Sequence, residues 1–435
     1  MPAADPIELL LAGRYPDPET GTLLAAESRS VVIEDSLDGA EAELVGGLDV
    51  GHHLALLADA STYQALGHRI ERALSGRYSL QRIVLDAGPA ADADTVARLV
   101  AALDPRTDAV IAVGSGTLND LAKMVAFQRG CPQIIFATAP SMNGYTSLSA
   151  SITTDGVKRS YRTKTPAGVF FDLAVLARAP VRLIRAGLGD SMCRSTAQAD
   201  WLLSHLLLGR PYREAPFALL ADDERALVGH TDALIRGELA AMRHLVRTLV
   251  LSGFGMTICN GSYPASQGEH LLSHYVEMMR PPEVPTAFHG EQIAVCTVAM
   301  ARLQDRLLGS DAPPRLHPSR VQHADVLRHF GPVMGEACWR EFELKRFDRA
   351  HTDELNARLA ERWDDMRTRL GTLTLGATTL YKTLAAAGAP IDPAALRWPD
   401  VLFDAAVAHA REIRNRYTFL DLAADGDAVT SNVRF

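Results

Sequence analysis

Ala109-Val110-Ile111-Ala112-Val113-Gly114-Ser115-Gly116-Thr117-Leu118-Asn119-Asp120 is an unbroken apolar run, then a Gly-Ser-Gly turn, then the opening of a helical pattern. An apolar run with no polar alternation fits a strand buried on both faces, as in a parallel sheet. The two glycines let backbone amides at the start of the helix approach a pyrophosphate with no Cβ in the way. Gly114, Ser115, Gly116 and Thr117 are therefore the candidate cofactor-binding turn, with Asn119 and Asp120 one helical turn further on. The third glycine of the usual dinucleotide fingerprint is missing, so spacing alone leaves an ordinary tight turn as the alternative.

Similar runs occur at Leu54-Ala55-Leu56-Leu57-Ala58, Arg82-Ile83-Val84-Leu85 and Gln133-Ile134-Ile135-Phe136-Ala137, separated by amphipathic stretches. This is the pattern of βαβ units around a parallel sheet. Each run ends in polar or small residues: Asp59, Asp86, Gly114, and Thr138-Ala139-Pro140-Ser141. Ligands of open α/β sheets bind at these carboxyl ends. Thr138, Ser141 and, further on, Ser147 join the cofactor candidates. Asp59 is placed to accept hydrogen bonds from an adenosine ribose, which would favour NAD over NADP, or else to cap the next helix.

Beyond about residue 180 the β-branched runs thin out, and Ala/Leu/Arg-rich stretches such as Glu224 to Leu251 and Asp353 to Leu370 carry helical spacing. The expected division is an α/β domain over residues 1–178 and an all-α domain over 179–435. Pro281-Pro282 with Pro285, and Pro313-Pro314, mark loops. The helical half holds His270 and His274, four apart in a stretch, Gly268 to Met279, that reads as one helix, so both project from one face. His289 follows the proline loop and opens another helix, and Asp190, between Gly189 and Ser191, is expected where a helix begins. A carboxylate with imidazoles suits a divalent metal that keeps a position open for a substrate oxygen.

Composition narrows the function class. A chain of 435 residues, 47% apolar, exceeds what one hydrophobic core usually supports. The formal charge of −8 is spread among mixed signs, without a basic stripe for nucleic acid or a polybasic segment for lipid. No apolar run approaches the roughly 18 residues of a membrane span, and the N-terminus lacks a signal-like pattern. Cys131, Cys193, Cys259, Cys296 and Cys338 are scattered with no paired spacing, as free thiols in a reducing compartment. The expectation is a soluble cytoplasmic enzyme with a small-molecule substrate, without nucleic acid or membrane insertion.

Several motifs then resemble one family. They are residues 114–120 (Gly-Ser-Gly-Thr-Leu-Asn-Asp), 138–147 (Thr-Ala-Pro-Ser-Met-Asn-Gly-Tyr-Thr-Ser), 187–190 (Gly-Leu-Gly-Asp), 199–201 (Ala-Asp-Trp), 264–274 (Pro-Ala-Ser-x-x-Glu-His-x-x-Ser-His) and 289–291 (His-Gly-Glu). In this order they resemble the sn-glycerol-1-phosphate dehydrogenase family, within the dehydroquinate synthase, glycerol dehydrogenase and iron-type alcohol dehydrogenase superfamily. The resemblance covers about residues 54–418. It implies a nucleotide-binding α/β domain followed by a helical metal- and substrate-binding domain. It also implies NAD(H) or NADP(H) with one divalent metal, zinc above nickel or iron, and a homo-oligomer reducing dihydroxyacetone phosphate. By the same resemblance Asp190, His270 and His289 are the metal ligands, and His274 helps move a proton.

Three positions depart from the family pattern. Asn143 stands where the family carries aspartate, keeping hydrogen bonding and losing charge. Arg194 stands where lysine is usual; it stays charged at any working pH and can clamp an anion but not exchange a proton. Tyr263 stands where an arginine is expected, which leaves the substrate phosphate to Arg194, Lys158, Arg159 or Lys164. Asn143 and Arg194 are thus catalytic and substrate-binding candidates, with Tyr263 and Lys158 lining the substrate. The alternatives are a sugar-phosphate cyclase like dehydroquinate synthase and a weakened, non-catalytic binding member.

Overall fold

A computed structural model describes residues 5–154 and 157–426. Ten strands are present among them: β1 (Tyr15–Pro16), β2 (Leu23–Leu24), β3 (Ser30–Glu34), β4 (His53–Asp59), β5 (Ser79–Leu85), β6 (Ala109–Gly114), β7 (Gln133–Ala137), β8 (Ser149–Thr154), β9 (Val157–Arg162) and β10 (Gly168–Asp172). Of the helices, α1 (Gly116–Arg129), α2 (Val181–Met192), α3 (Arg194–Leu208), α4 (Leu239–Ile258), α5 (Gly268–Met279), α6 (His289–Leu308) and α7 (Arg349–Leu373) carry the candidate site residues or the core that supports them.

Six strands form one all-parallel sheet in the order β3-β10-β7-β6-β4-β5. The four apolar runs read from sequence are β4, β5, β6 and β7. The chain goes from β4 outward to β5, then returns past β4 to β6, so strand order reverses between β4 and β6, where an open sheet offers its ligand crevice. Strands β6, β7 and β10 are buried throughout, which explains their lack of alternation. Phe136 and Phe170, on neighbouring strands, pack with ring centroids 4.9 Å apart in a core shared with Leu56, Ile111, Val113 and Ile134. Strands β8 and β9 form a separate antiparallel hairpin, and β1 and β2 a short ribbon.

Two compact units divide the chain: Met1–Ser191 with Glu214–Gly261, and Met192–Arg213 with Ser262–Phe435. No strand among the described residues lies beyond Asp172. The helical stretch from Glu224 to Leu251 is not continuous. It breaks at Gly229-His230 and at Gly237, whose φ of 78° is left-handed, and α4 starts after the second break. In the second unit, α3, α5, α6 and α7 share a core built from Leu203, Leu272, Val295, Ala299, Leu359 and Trp363. Prolines 281, 282 and 285 lie in the loop between α5 and α6, as the sequence suggests. No helix of the described residues is long and apolar enough to cross a membrane.

Candidate active site

The helical unit brings the three histidines together. Helix α5 carries His270 in its first turn and His274 one turn later, while His289 is the first residue of α6. His270 Nδ1 lies 2.9 Å from Glu269 Oε1, and the carboxylate of Glu269, fully buried, also accepts from the Gln267 amide at 2.8 Å and from Thr196 Oγ1 at 3.3 Å. With Nδ1 donating to a carboxylate, the imidazole keeps its proton there and leaves Nε2 as a lone pair. His289 Nε2 stands 3.2 Å from His270 Nε2. Two nitrogens bound tetrahedrally at zinc–nitrogen distances would lie about 3.3 Å apart, so this pair fits adjacent ligands of one ion.

His274 lies beside this pair. Its ring faces that of His289 with centroids 6.3 Å apart, and its Nδ1 is 3.5 Å from Oε2 of Glu277, both side chains being half-buried. Cys193, Glu269 and His270 also bring ligand-type atoms within 4.8 Å of one another. Glu269 is already engaged by three donors and the Cys193 thiol reaches the Ala265 carbonyl at 3.9 Å, so this grouping reads as support around His270. Glu269 has no role in the sequence reading. Neighbours on a helix point about 100° apart, and only the folded side chain shows the carboxylate turning back onto the ring.

In the first unit the glycine turn sits at the carboxyl end of β6, beside β4. A Cβ on Gly114 would lie 2.4 Å from Leu118 Cδ1, so glycine is needed for α1 to pack onto its strand. Gly116 meets only Met142 Cγ, at 3.6 Å, and Thr117 is exposed. The amide of Thr138 donates to the Gly114 carbonyl at 3.1 Å, joining the ends of β6 and β7. Asn119 is buried, with its carbonyl and side-chain oxygen accepting from Gln133 Nε2 at 3.0 and 3.3 Å; Asp120 accepts from the Ser151 amide at 3.1 Å. Asp59 caps the next helix, accepting from the Thr62 amide at 2.8 Å while Thr62 Oγ1 accepts from the Asp59 amide at 3.0 Å.

The segment after β7 is held from three sides. From α1, the buried Lys123 donates through Nζ to the carbonyls of Gly144, Ser147 and Ser149 at 2.9, 3.0 and 3.3 Å. Burial pulls its pKa down from 10.5 to about 8, and Asp120 opposes the shift. From α4, the Val250 carbonyl accepts from Thr146 Oγ1 at 2.8 Å. From α2, Asp190 Oδ2 accepts from the Asn143 amide at 2.8 Å, and Gly187 packs so tightly that a Cβ would lie 1.6 Å from the Pro140 carbonyl oxygen. Ser147 Oγ donates to the Gly144 carbonyl at 3.0 Å, and Tyr145, paired with Ser141, donates its hydroxyl to the Ala139 carbonyl at 2.5 Å.

Asp190 is not where a helix begins: it lies in the last turn of α2, and α3 starts after Cys193. The glycines that suggested a helix start are inside the helix because Gly187 must let the Pro140 turn approach. Asp190 belongs to the first compact unit, the histidines to the second. The side chain of Lys158 lies outside the described residues, and Arg159 and Lys164 are exposed on and just after the hairpin. Arg194 opens α3 and donates to Gln198 Oε1 at 2.5 Å; Gln198 Nε2 donates to the Tyr212 hydroxyl at 2.9 Å. Tyr263 stacks on Trp201 with centroids 5.8 Å apart.

Comparison with known proteins adds lineage. The iron-containing alcohol dehydrogenase family matches residues 32–180. A glycerol-1-phosphate dehydrogenase (NAD(P)+) of Bacillus velezensis is 37% identical over 341 residues, 73% of this chain and 86% of that protein. One from Thermococcus kodakarensis is 31% identical over 276 residues, 63% of this chain and 77% of that protein. Among solved structures, glycerol dehydrogenase from Schizosaccharomyces pombe superposes with a TM-score of 0.63 at 18% identity, over 92% of this chain and 88% of that one. A maleylacetate reductase from Agrobacterium tumefaciens gives 0.55 at 19%, over 89% and 90%. The structural matches establish the fold, and the sequence relatives establish the lineage: the chain belongs to the glycerol-1-phosphate dehydrogenase family of the iron-type alcohol dehydrogenase superfamily.

Proposed function

We propose that this chain interconverts dihydroxyacetone phosphate and sn-glycerol 1-phosphate, using NAD(H) or NADP(H) and one divalent metal held by Asp190, His270 and His289. The observation that carries the reading is the His270–His289 pair, 3.2 Å apart at Nε2 with His270 oriented by Glu269. This spacing, with a carboxylate on Nδ1, supports reading the two as ligands of one ion. When bound, the metal supplies Lewis-acid polarisation of the ketone and the nicotinamide supplies the hydride. Zinc, nickel and iron all suit an Asp-His-His donor set, with zinc the first choice.

The chain's own residues do the rest. Amides of the Gly114–Thr117 turn, at the N-terminus of α1, receive the cofactor pyrophosphate, and Thr138 and Ser147 flank that crevice. Asn143 and Arg194 contact the substrate by hydrogen bond and by charge. His274 delivers the proton that balances hydride addition to the carbonyl carbon, and Glu277, 3.5 Å from its Nδ1, holds the ring and connects it to solvent. A cytoplasmic homo-oligomer belongs to the same reading.

The test is NADH oxidation with dihydroxyacetone phosphate by protein loaded with zinc or with nickel, NADPH being run in parallel. Net, stoichiometric loss of NADH is expected. A cyclase regenerates its cofactor and gives no net change, and a non-catalytic binding member gives none despite bound metal.

A further inference from the structure

Tyr263 is 41% exposed and stands in a wall of aromatic rings within the helical unit. It stacks on Trp201, whose ring meets Tyr212 edge-on at 5.2 Å. The guanidinium of Arg416 lies over the Tyr263 ring, 4.9 Å from its centroid. It is fixed there by a bond from Nη2 to Ser262 Oγ at 2.8 Å and another from Nη1 to the Ser266 carbonyl. Arg210 comes to the same neighbourhood. Its Nη1 donates to the Asn415 carbonyl at 2.5 Å, and its charge acts on Tyr263.

Both arginines are half-buried, and among the described residues neither makes an ion pair with a carboxylate. Burying a guanidinium without a carboxylate paired to it is costly. Burial lowers the pKa of Arg210, which Asp421 opposes from a distance, and it lowers that of Arg416 to about 10, with Arg414 adding repulsion. Glu269 and Glu341 act on Arg416 at longer range, and Glu269 is committed to His270. Arg416 uses one bond from each of Nη1 and Nη2 and Arg210 one from Nη1, all to neutral oxygens, which leaves N–H donors of both forks for a planar or tetrahedral anion. The turn that Arg416 grips, Ser262 to Ser266, runs directly into α5 and His270.

We propose that Arg416, with Arg210 beside it and Tyr263 as its stacking wall, binds the phosphate of the substrate. This rests on the reading given under Proposed function and names the residues that recognise the anion. It also accounts for Tyr263, which brings no charge of its own but holds the guanidinium flat by cation–π contact.

The experiment compares wild type, Arg416→Gln, Arg416→Lys and Arg210→Gln, each checked for metal content and NADH fluorescence. The expected result is a KM for dihydroxyacetone phosphate raised about tenfold to a hundredfold in Arg416→Gln, the span of about 1.4 to 3 kcal/mol for a charge-assisted bond. Arg416→Lys recovers only part of it, because an ammonium lacks the fork and the stacking plane. The KM for unphosphorylated dihydroxyacetone rises by a smaller factor than that for the phosphorylated substrate, and competitive inhibition by inorganic phosphate weakens in parallel with the latter. An unchanged KM for the phosphorylated substrate in both Arg416→Gln and Arg210→Gln, with wild type active, overturns the inference and leaves the dehydrogenase reading standing. If wild type does not turn over dihydroxyacetone phosphate, that reading fails instead. Calorimetry with inorganic phosphate then decides the site by itself: binding lost in the variants supports it, and binding equal in all proteins, or absent from wild type, overturns it. Should Arg416→Gln not fold, Arg210→Gln carries the same comparisons.

Discussion

His289→Ala removes one of two imidazoles whose Nε2 atoms face each other at 3.2 Å. Purified variant protein should hold no metal by elemental analysis and show no turnover, and unchanged metal content would refute the ligand assignment. Glu269→Gln is subtler. It keeps shape and burial but removes the charge that holds the His270 proton on Nδ1, and metal affinity should fall about tenfold to a hundredfold in a competition titration with a chelator. At this scale the sequence was half legible. His270, His274, His289 and Asp190 stood out because their side-chain types are ones metals and protons use. Glu269, Lys123 and Arg416 did not, because their roles depend on which way a side chain folds and on what distant chain it meets.

Elements matter where two backbones must touch. Gly187→Ala places a Cβ 1.6 Å from the Pro140 carbonyl oxygen, a backbone atom that cannot rotate away. The expected cost is about 3 kcal/mol or more, read as a fall in the urea midpoint or as loss of soluble protein. Gly114→Ala meets Leu118 Cδ1 at 2.4 Å, which can rotate, and its Cβ at 2.7 Å, which moves only with α1; about 1 to 3 kcal/mol and weaker NADH binding by fluorescence titration are expected. Strands β4, β6 and β7 were legible because burial on both faces leaves an apolar run, and α5 because its histidines and leucines keep helical spacing. Strands β3 and β10 escaped notice: their apolar stretches, Val31 to Ile33 and Val169 to Phe171, are only three residues long and carry little signal until they pair. Gly187 and Gly189 near Asp190 suggest a helix boundary, but both lie inside α2, where Gly187 is a close-packing position.

Across the whole molecule, one buried lysine ties stability to pH. The folded-state pKa of Lys123 is depressed to about 8 from 10.5, so between these values the unfolded chain binds more protons than the folded one. The Lys123 contribution to stability in urea should therefore rise as pH goes from about 8 to 10.5, while Cys296, Cys338 and Tyr417, whose pKa values burial raises, pull the other way; Lys123→Met should remove the rising part while loosening the loop from Gly144 to Ser149. A rise that survives the substitution would assign it to other groups. The α/β-then-α order of the chain was legible from the change in composition near residue 180. The grouping of residues 214–261 with the sheet-containing unit was not, since helices of either unit are written in the same Ala, Leu and Arg. The activity we propose for the whole molecule is a metal-dependent reduction of a ketose phosphate. Its most direct test is metal-stripped protein mixed with NADH and dihydroxyacetone phosphate, before and after zinc or nickel is restored. Silence without metal and one NADH consumed per sn-glycerol 1-phosphate formed once metal is added is the predicted result. Undiminished turnover in the stripped protein, or none after loading to one ion per chain, would contradict it.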